Sequence, residues 1–122
     1  MREQEIWQEI LEEGLDDWVP VDRLVGLAKE YSEDHGGSYK DLVSRVLSSL
    51  LTKELIRVGE IGEDGFEAWP GDQKEVERRV VMALGESGWV PAGDVCWLAN
   101  TAAGDCAARE LRVTLESDSD IN

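Results

Sequence analysis

The chain has little positive charge. Its 12 Lys and Arg stand against 27 Asp and Glu, for a net charge of −15. Cysteine is scarce too. Cys96 and Cys106 form no Cys-x-x-Cys pair, and His35 is the only histidine. A structural zinc site needs about four such ligands, so no metal within one chain is expected. Two reduced thiols are the plainer reading for a chain without a secretory context. No apolar run is long enough to cross a bilayer. Met1-Arg2-Glu3-Gln4-Glu5 lacks the apolar core of a secretory signal, so a cytoplasmic protein with no membrane partner is expected. Glycine-rich phosphate loops are missing as well. Gly36-Gly37 and the glycines from Gly59 to Gly65 match neither the Walker nor the dinucleotide pattern, and no cofactor is expected.

Catalytic groupings are equally thin. Glu12-Glu13 and Asp16-Asp17 bring carboxylates together, but at a helix end they read as solvated charges. Paired acids catalyse only when one is desolvated and its pKa raised. His35 lies in a glycine-bearing stretch with no serine or cysteine spaced to make a nucleophile set. The expectation is a protein that is not an enzyme.

What the chain does contain is enough apolar residue, 42% of 122, to build the core of one compact domain. Charge is unevenly spread along it. Residues 1–19 hold seven acids and one base, residues 20–58 hold six of each, and residues 59–72 hold five acids and no base. The middle is neutral while the first helix and the hairpin region are acidic.

Hydrophobic periodicity predicts a helix over 3–15, with Ile6, Trp7, Ile10, Leu11 and Leu15 on one face. Trp18-Val19-Pro20 predicts an extended connector, because the residue before proline avoids helical geometry. A second helix is predicted from Val21 to Tyr31, followed by a loop over 32–37. A third begins after Ser38, an N-cap candidate with Asp41 three residues on. It carries the cleanest stripe in the chain: Leu42, Val43, Val46, Leu47, Leu50 and Leu51. Two short strands follow, Leu55 to Ile61 and Phe66 to Trp69, and Asp64-Gly65 between them is a hairpin signal. A fourth helix is predicted over 72–86, a short one over 94–100, and a helix or strand over 102–115. Residues 116–122 read as a disordered acidic tail.

Trp89-Val90-Pro91 repeats Trp18-Val19-Pro20 at an offset of 71 residues, and Gly85, Leu98 and Ala99 then align with Gly14, Leu27 and Ala28. Either the second half is a degenerate copy of the first, or two helix–turn junctions share one apolar connector.

Three helices, the last striped from Tyr39 to Leu51, run into Leu55-Ile56-Arg57-Val58 and a glycine-tipped hairpin. Residues 3–70 in this arrangement resemble the winged-helix superfamily. The resemblance implies a mainly α fold with a small β-hairpin (α+β). It comprises a unit over 1–71 and a helical extension over 72–115, packed on that unit or in a homodimer contact. In DNA-binding members the third helix enters the major groove. Carried over by position, the DNA-facing residues would be Tyr39, Lys40, Ser44, Arg45 and Ser48. The hairpin opposes that role. Glu60, Glu63, Asp64 and Glu67 surround its tip, where phosphate contacts need Lys or Arg. The leading expectation is therefore an interaction module for another protein, one of basic character. Glu60, Glu63, Asp64 and Glu67 form its acidic surface, with Trp69 and Trp97 as anchors. A DNA-binding transcription regulator is the alternative.

Overall fold

The computed structural model describes residues 3–90 and 95–110. Within them the chain forms α1 (Glu3–Glu13), β1 (Val19–Pro20), α2 (Val21–His35), α3 (Tyr39–Thr52), β2 (Ile56–Gly62), β3 (Gly65–Ala68), α4 (Gln73–Glu86), β4 (Trp97–Asn100) and a final helix over 102–110. The fold is mainly helical, with a small antiparallel sheet ordered β1-β4-β2-β3. Among the described residues no helix is long and apolar enough to cross a membrane.

The α3 stripe does what its period predicts. Leu42, Val43, Val46, Leu47, Leu50 and Leu51 are all buried, each stabilising the fold by roughly 1.5–3 kcal/mol. The helix starts at Ser38, whose hydroxyl accepts from the Asp41 N–H. It packs against α1, α2, α4 and β2. Since isolated helices of this length are marginal in water, these contacts hold it. Arg23 of α2 ties the first two helices together, at 2.7 Å from Glu13 and 3.5 Å from Glu9. The Glu13 hydrogen bond is the main reason the Arg23 pKa is raised.

Helix α2 is longer than its apolar face suggests. Ser32 to His35 continue it, with the His35 ring stacked on Tyr31 at 4.0 Å. It ends at Gly36, whose φ of 80° only glycine adopts freely.

Residues 97–100 are strand, not helix. Here Val19 pairs with Leu98 and Pro20 with Trp97 on one side, while Ile56, Arg57, Val58 and Gly59 pair with Asn100, Ala99, Leu98 and Trp97 on the other. Hydrogen bonding from both neighbours overrides whatever helical preference the segment has. The extension is therefore helix, strand, helix. The two Trp-Val-Pro connectors also part company. Val19-Pro20 forms β1 and leads into α2, whereas Trp89 sits in left-handed geometry at φ 63°. Leu27 and Ala28 are helical while Leu98 and Ala99 lie in β4, so the aligned residues do not share one fold.

The helix over 102–110 is capped by Thr101. Its hydroxyl accepts from the Gly104 N–H at 3.0 Å and donates to the Glu54 carbonyl at 2.7 Å. A Cβ at Gly104 would lie 2.0 Å from the Leu55 carbonyl oxygen, so only glycine allows this helix to sit so close to the start of β2. The expectations for residues 111–122 lie outside the described residues.

Candidate functional site

Alternation along a strand places successive side chains on opposite faces, and the register sorts this sheet into two surfaces. Val19, Leu98 and Val58 are cross-strand partners, all buried, and face the helices. The opposite face carries Pro20, Trp97 and Gly59 in one row and Ile61 with Phe66 in another. Trp18, just before Val19, joins it. The Trp18 and Phe66 rings lie 6.0 Å apart, and Trp18 Cη2 is 3.5 Å from where a Gly65 Cβ would be. Trp18 is 38% exposed and Ile61 44%. Neither they nor Phe66 and Trp97 belong to the packed core or its margin. The same alternation puts the exposed Arg57 on this face, two residues before Gly59 and opposite Ala99. The outer face of the sheet is thus an aromatic and aliphatic surface, separate from the core, with one cation at its β2 end.

Carboxylates surround it. Asp16 and Asp17 precede Trp18, and Glu63 and Asp64 form the hairpin turn between Gly62 and Gly65. All four are exposed. A Cβ on Gly59 would meet the Glu67 carbonyl oxygen at 2.1 Å, so the hairpin curls in closely at that point, which requires glycine.

The six residues expected to form a protein-binding surface do not share one face. Trp97 lies on the outer face. Glu63 and Asp64 are at the tip. Glu60 and Glu67 are opposite each other across β2 and β3, on the face away from Trp97. Trp69 packs against the edge of the core, and its indole N–H donates to Glu60 at 3.2 Å. The Arg79 guanidinium lies 3.9 Å from the centre of the Trp69 ring and 3.6 Å from the Glu60 carboxylate. Trp69 and Glu60 are thus engaged within the chain, while Glu63, Asp64 and Glu67 have no ion-pair partner among the described residues.

The DNA-facing candidates are also partly engaged. Arg45 Nη1 is 2.6 Å from Glu3 Oε1. Lys40 Nζ stands 5.6 Å over the Trp89 ring, and Tyr39 meets the same ring edge-on at 6.1 Å. Ser44 and Ser48 are half-buried on the helix between them. Asp41 is exposed on the same helix and Glu3 sits beside Arg45, while Lys29 Nζ stands 5.1 Å over the Tyr39 ring, so two carboxylates offset most of the positive charge of the face.

Cys96 is buried, and burial pushes its thiol up to about 12 with help from the Asp22 charge. Cys106 is exposed, and the two are not bonded. Among the described residues no three His, Cys, Asp or Glu side chains come together as a metal site. An open cleft of about 870 Å³ lies between the end of α3, β2 and the start of α4, with Trp69, Val76 and Arg57 in its lining.

Sequence reasoning missed Trp18, Phe66, Ile61 and Arg79. A signal for two of them was present. A two-residue turn at Glu63-Asp64 sets Ile61 opposite Phe66, with the same register that sets Glu60 opposite Glu67. Comparison of the chain with protein-family models, curated proteins and solved structures finds no match.

Proposed function

We propose that this protein is a non-enzymatic interaction domain of winged-helix type that binds another protein of basic character. The order helix, short strand, two helices, hairpin supports the winged-helix reading, with β4 as an addition between β1 and the hairpin. The observation that carries the function is the outer sheet face. Trp18, Ile61, Phe66 and Trp97 lie there outside the core, bordered by Asp16, Asp17, Glu63 and Asp64. An apolar patch with a polar rim is the usual anatomy of a protein-binding surface, and aromatic anchors supply most of the energy in such contacts. The four exposed carboxylates around the patch outnumber its one cation, Arg57, and select a partner with Lys or Arg beside its apolar residues.

Panning a random-peptide display library on the full chain at low salt tests this reading. Enriched peptides should combine Lys or Arg with aliphatic or aromatic residues, and should be lost when Trp18→Ser and Phe66→Ser are combined. Enrichment of acidic peptides, or of sequences indifferent to that double substitution, would sink the reading.

The alternative, α3 in the major groove of DNA, rests on Lys40 and Arg45 being exposed. It is the weaker proposal because Glu3 and Asp41 offset two of the three cations, Lys29, Lys40 and Arg45, at the same face. Titration with mixed-sequence duplex at low salt separates the two. Steeply salt-dependent binding that disappears in Lys40→Glu/Arg45→Glu would favour DNA.

A further inference from the structure

We infer that the protein takes one extended segment of its partner as a fifth strand along β3, the segment alternating apolar residues with Lys or Arg. The inference rests on the protein-binding reading above and specifies how the partner is held.

The free edge comes first. Just past β3, the Trp69 N–H donates to the Val58 carbonyl at 2.8 Å. In an antiparallel ladder, bonded and non-bonded pairs alternate. Counting from Val58 and Trp69, the Gly59–Ala68 and Ile61–Phe66 pairs are non-bonded, while Glu60–Glu67 and Gly62–Gly65 are bonded. The peptide N–H and C=O groups of Phe66 and Ala68 therefore point away from β2. No described element other than β2 packs broadly against β3. The other edge of the sheet is closed to the same use. There, β1 is two residues long, Pro20 has no N–H, and the Val21 N–H is already given to the Cys96 carbonyl at 3.1 Å.

Side-chain chemistry then sets the pattern of the guest. On the outer side of an added strand lie Phe66 and, behind it, Ile61 and Trp18, which favour an apolar residue. On the other side lies Glu67, exposed and without an ion-pair partner, opposite a Glu60 that Trp69 and Arg79 already occupy. Like charges directly opposite each other are unfavourable, and a cation from a third strand relieves Glu67. Main-chain bonds supply affinity in strand addition while alternate side chains supply specificity. A guest that is apolar toward Phe66 and cationic toward Glu67 meets both requirements.

The test uses the full chain and an eight-residue peptide alternating lysine with valine, compared with the same residues arranged in two blocks. Isothermal titration should give the alternating peptide about tenfold tighter binding than the block peptide, and amide exchange at Phe66 and Ala68 should slow when it binds. Ala68→Pro removes an outward N–H that the hairpin does not use, and should weaken binding about tenfold. Glu67→Lys, a second variant that leaves the backbone untouched, should shift preference to a glutamate–valine alternation. Near-UV circular dichroism confirms that each variant is folded. Equal affinity for the two peptides, or affinity unchanged by Ala68→Pro, would overturn strand addition. If Phe66→Ser abolishes binding while Ala68→Pro does not, the outer face still binds protein and only the strand inference falls. Failure of the alternating peptide to bind at about 1 mM overturns the inference, and the library selection then decides the broader reading. Self-association that Ala68→Pro removes would assign the edge to a second copy and likewise overturn it.

Discussion

The side-chain amide of Asn100, at the end of β4, donates to the Leu11 carbonyl of α1 at 2.8 Å and to Asp105 at 3.0 Å. Its carboxamide oxygen fills the space next to Gly14, where a Cβ would lie only 2.2 Å away. One residue thus closes the last turn of the first helix with a side chain 89 positions on. Asn100→Leu leaves a half-buried carbonyl without its partner, which costs about 1–3 kcal/mol. Gly14→Ala should push the amide out and lose a similar amount. Urea unfolding of both single variants and the double checks this. Losses that add fully would mean the two positions are not coupled.

Arg79, Trp69 and Glu60 form a stacked and hydrogen-bonded set that joins α4 to the hairpin. The Arg79–Glu60 pair is exposed on both sides, at 50% and 58%, so the ionic part contributes little. The stack of guanidinium on indole is worth about 0.5–1 kcal/mol at such a site. Arg79→Ala should destabilise the fold by roughly that amount, with most of the loss persisting in high salt. A double-mutant cycle with Trp69→Leu should return the coupling, and a value near zero would show that the rings and guanidinium act independently.

The two faces of the sheet should respond differently to substitution. Leu98 is 1% exposed on the helix side, and Leu98→Ala should cost about 2–5 kcal/mol. Phe66→Ser and Trp18→Ser on the outer side should each cost less than about 1 kcal/mol. Both should reduce binding of a hydrophobic dye such as ANS, because they remove the exposed patch. Dye binding unchanged by either would place the accessible apolar surface elsewhere.

The thiols give a pH-dependent signature. Cys96 titrates at about 12 when folded and about 8.5 when unfolded. The unfolded chain releases this proton first, so the neutral thiol's contribution is complete below about pH 8.5. It is lost as pH rises toward the folded value, by about 1.4 kcal/mol per unit. Cys96→Val should flatten the fall in stability between about pH 9 and 10 relative to the parent chain. Native alkylation should label Cys106 quickly and Cys96 only as the protein unfolds. Rapid labelling of both would show that Cys96 is not shielded.

Helices α1, α3, α4 and most of α2 could be read without the structure because their cause is local. The α3 stripe, the Ser38 cap and the Glu63–Asp64 turn each follow from residues within a few positions of one another. The hairpin register follows too, and with it the pairing of Ile61 with Phe66. Residues 97–100 were not legible in this way. Four residues, three of them apolar, carry no period of their own, and their strand state depends on β1 and β2, far away in the chain. The same distance hid Arg79, which meets Trp69 only once α4 has packed back.

The sequence by itself determined α1, α3, α4 and the body of α2, where the hairpin turns, and that the acidic charge gathers at α1 and around the hairpin. Those features depend on periodicity, capping and composition. Only the tertiary structure decided that β4 enters the sheet between β1 and β2. That insertion gives Trp18, Trp97, Phe66 and Ile61 one shared outer face and leaves β3 as the open edge, because strand order is set by long-range hydrogen bonding that no local pattern encodes.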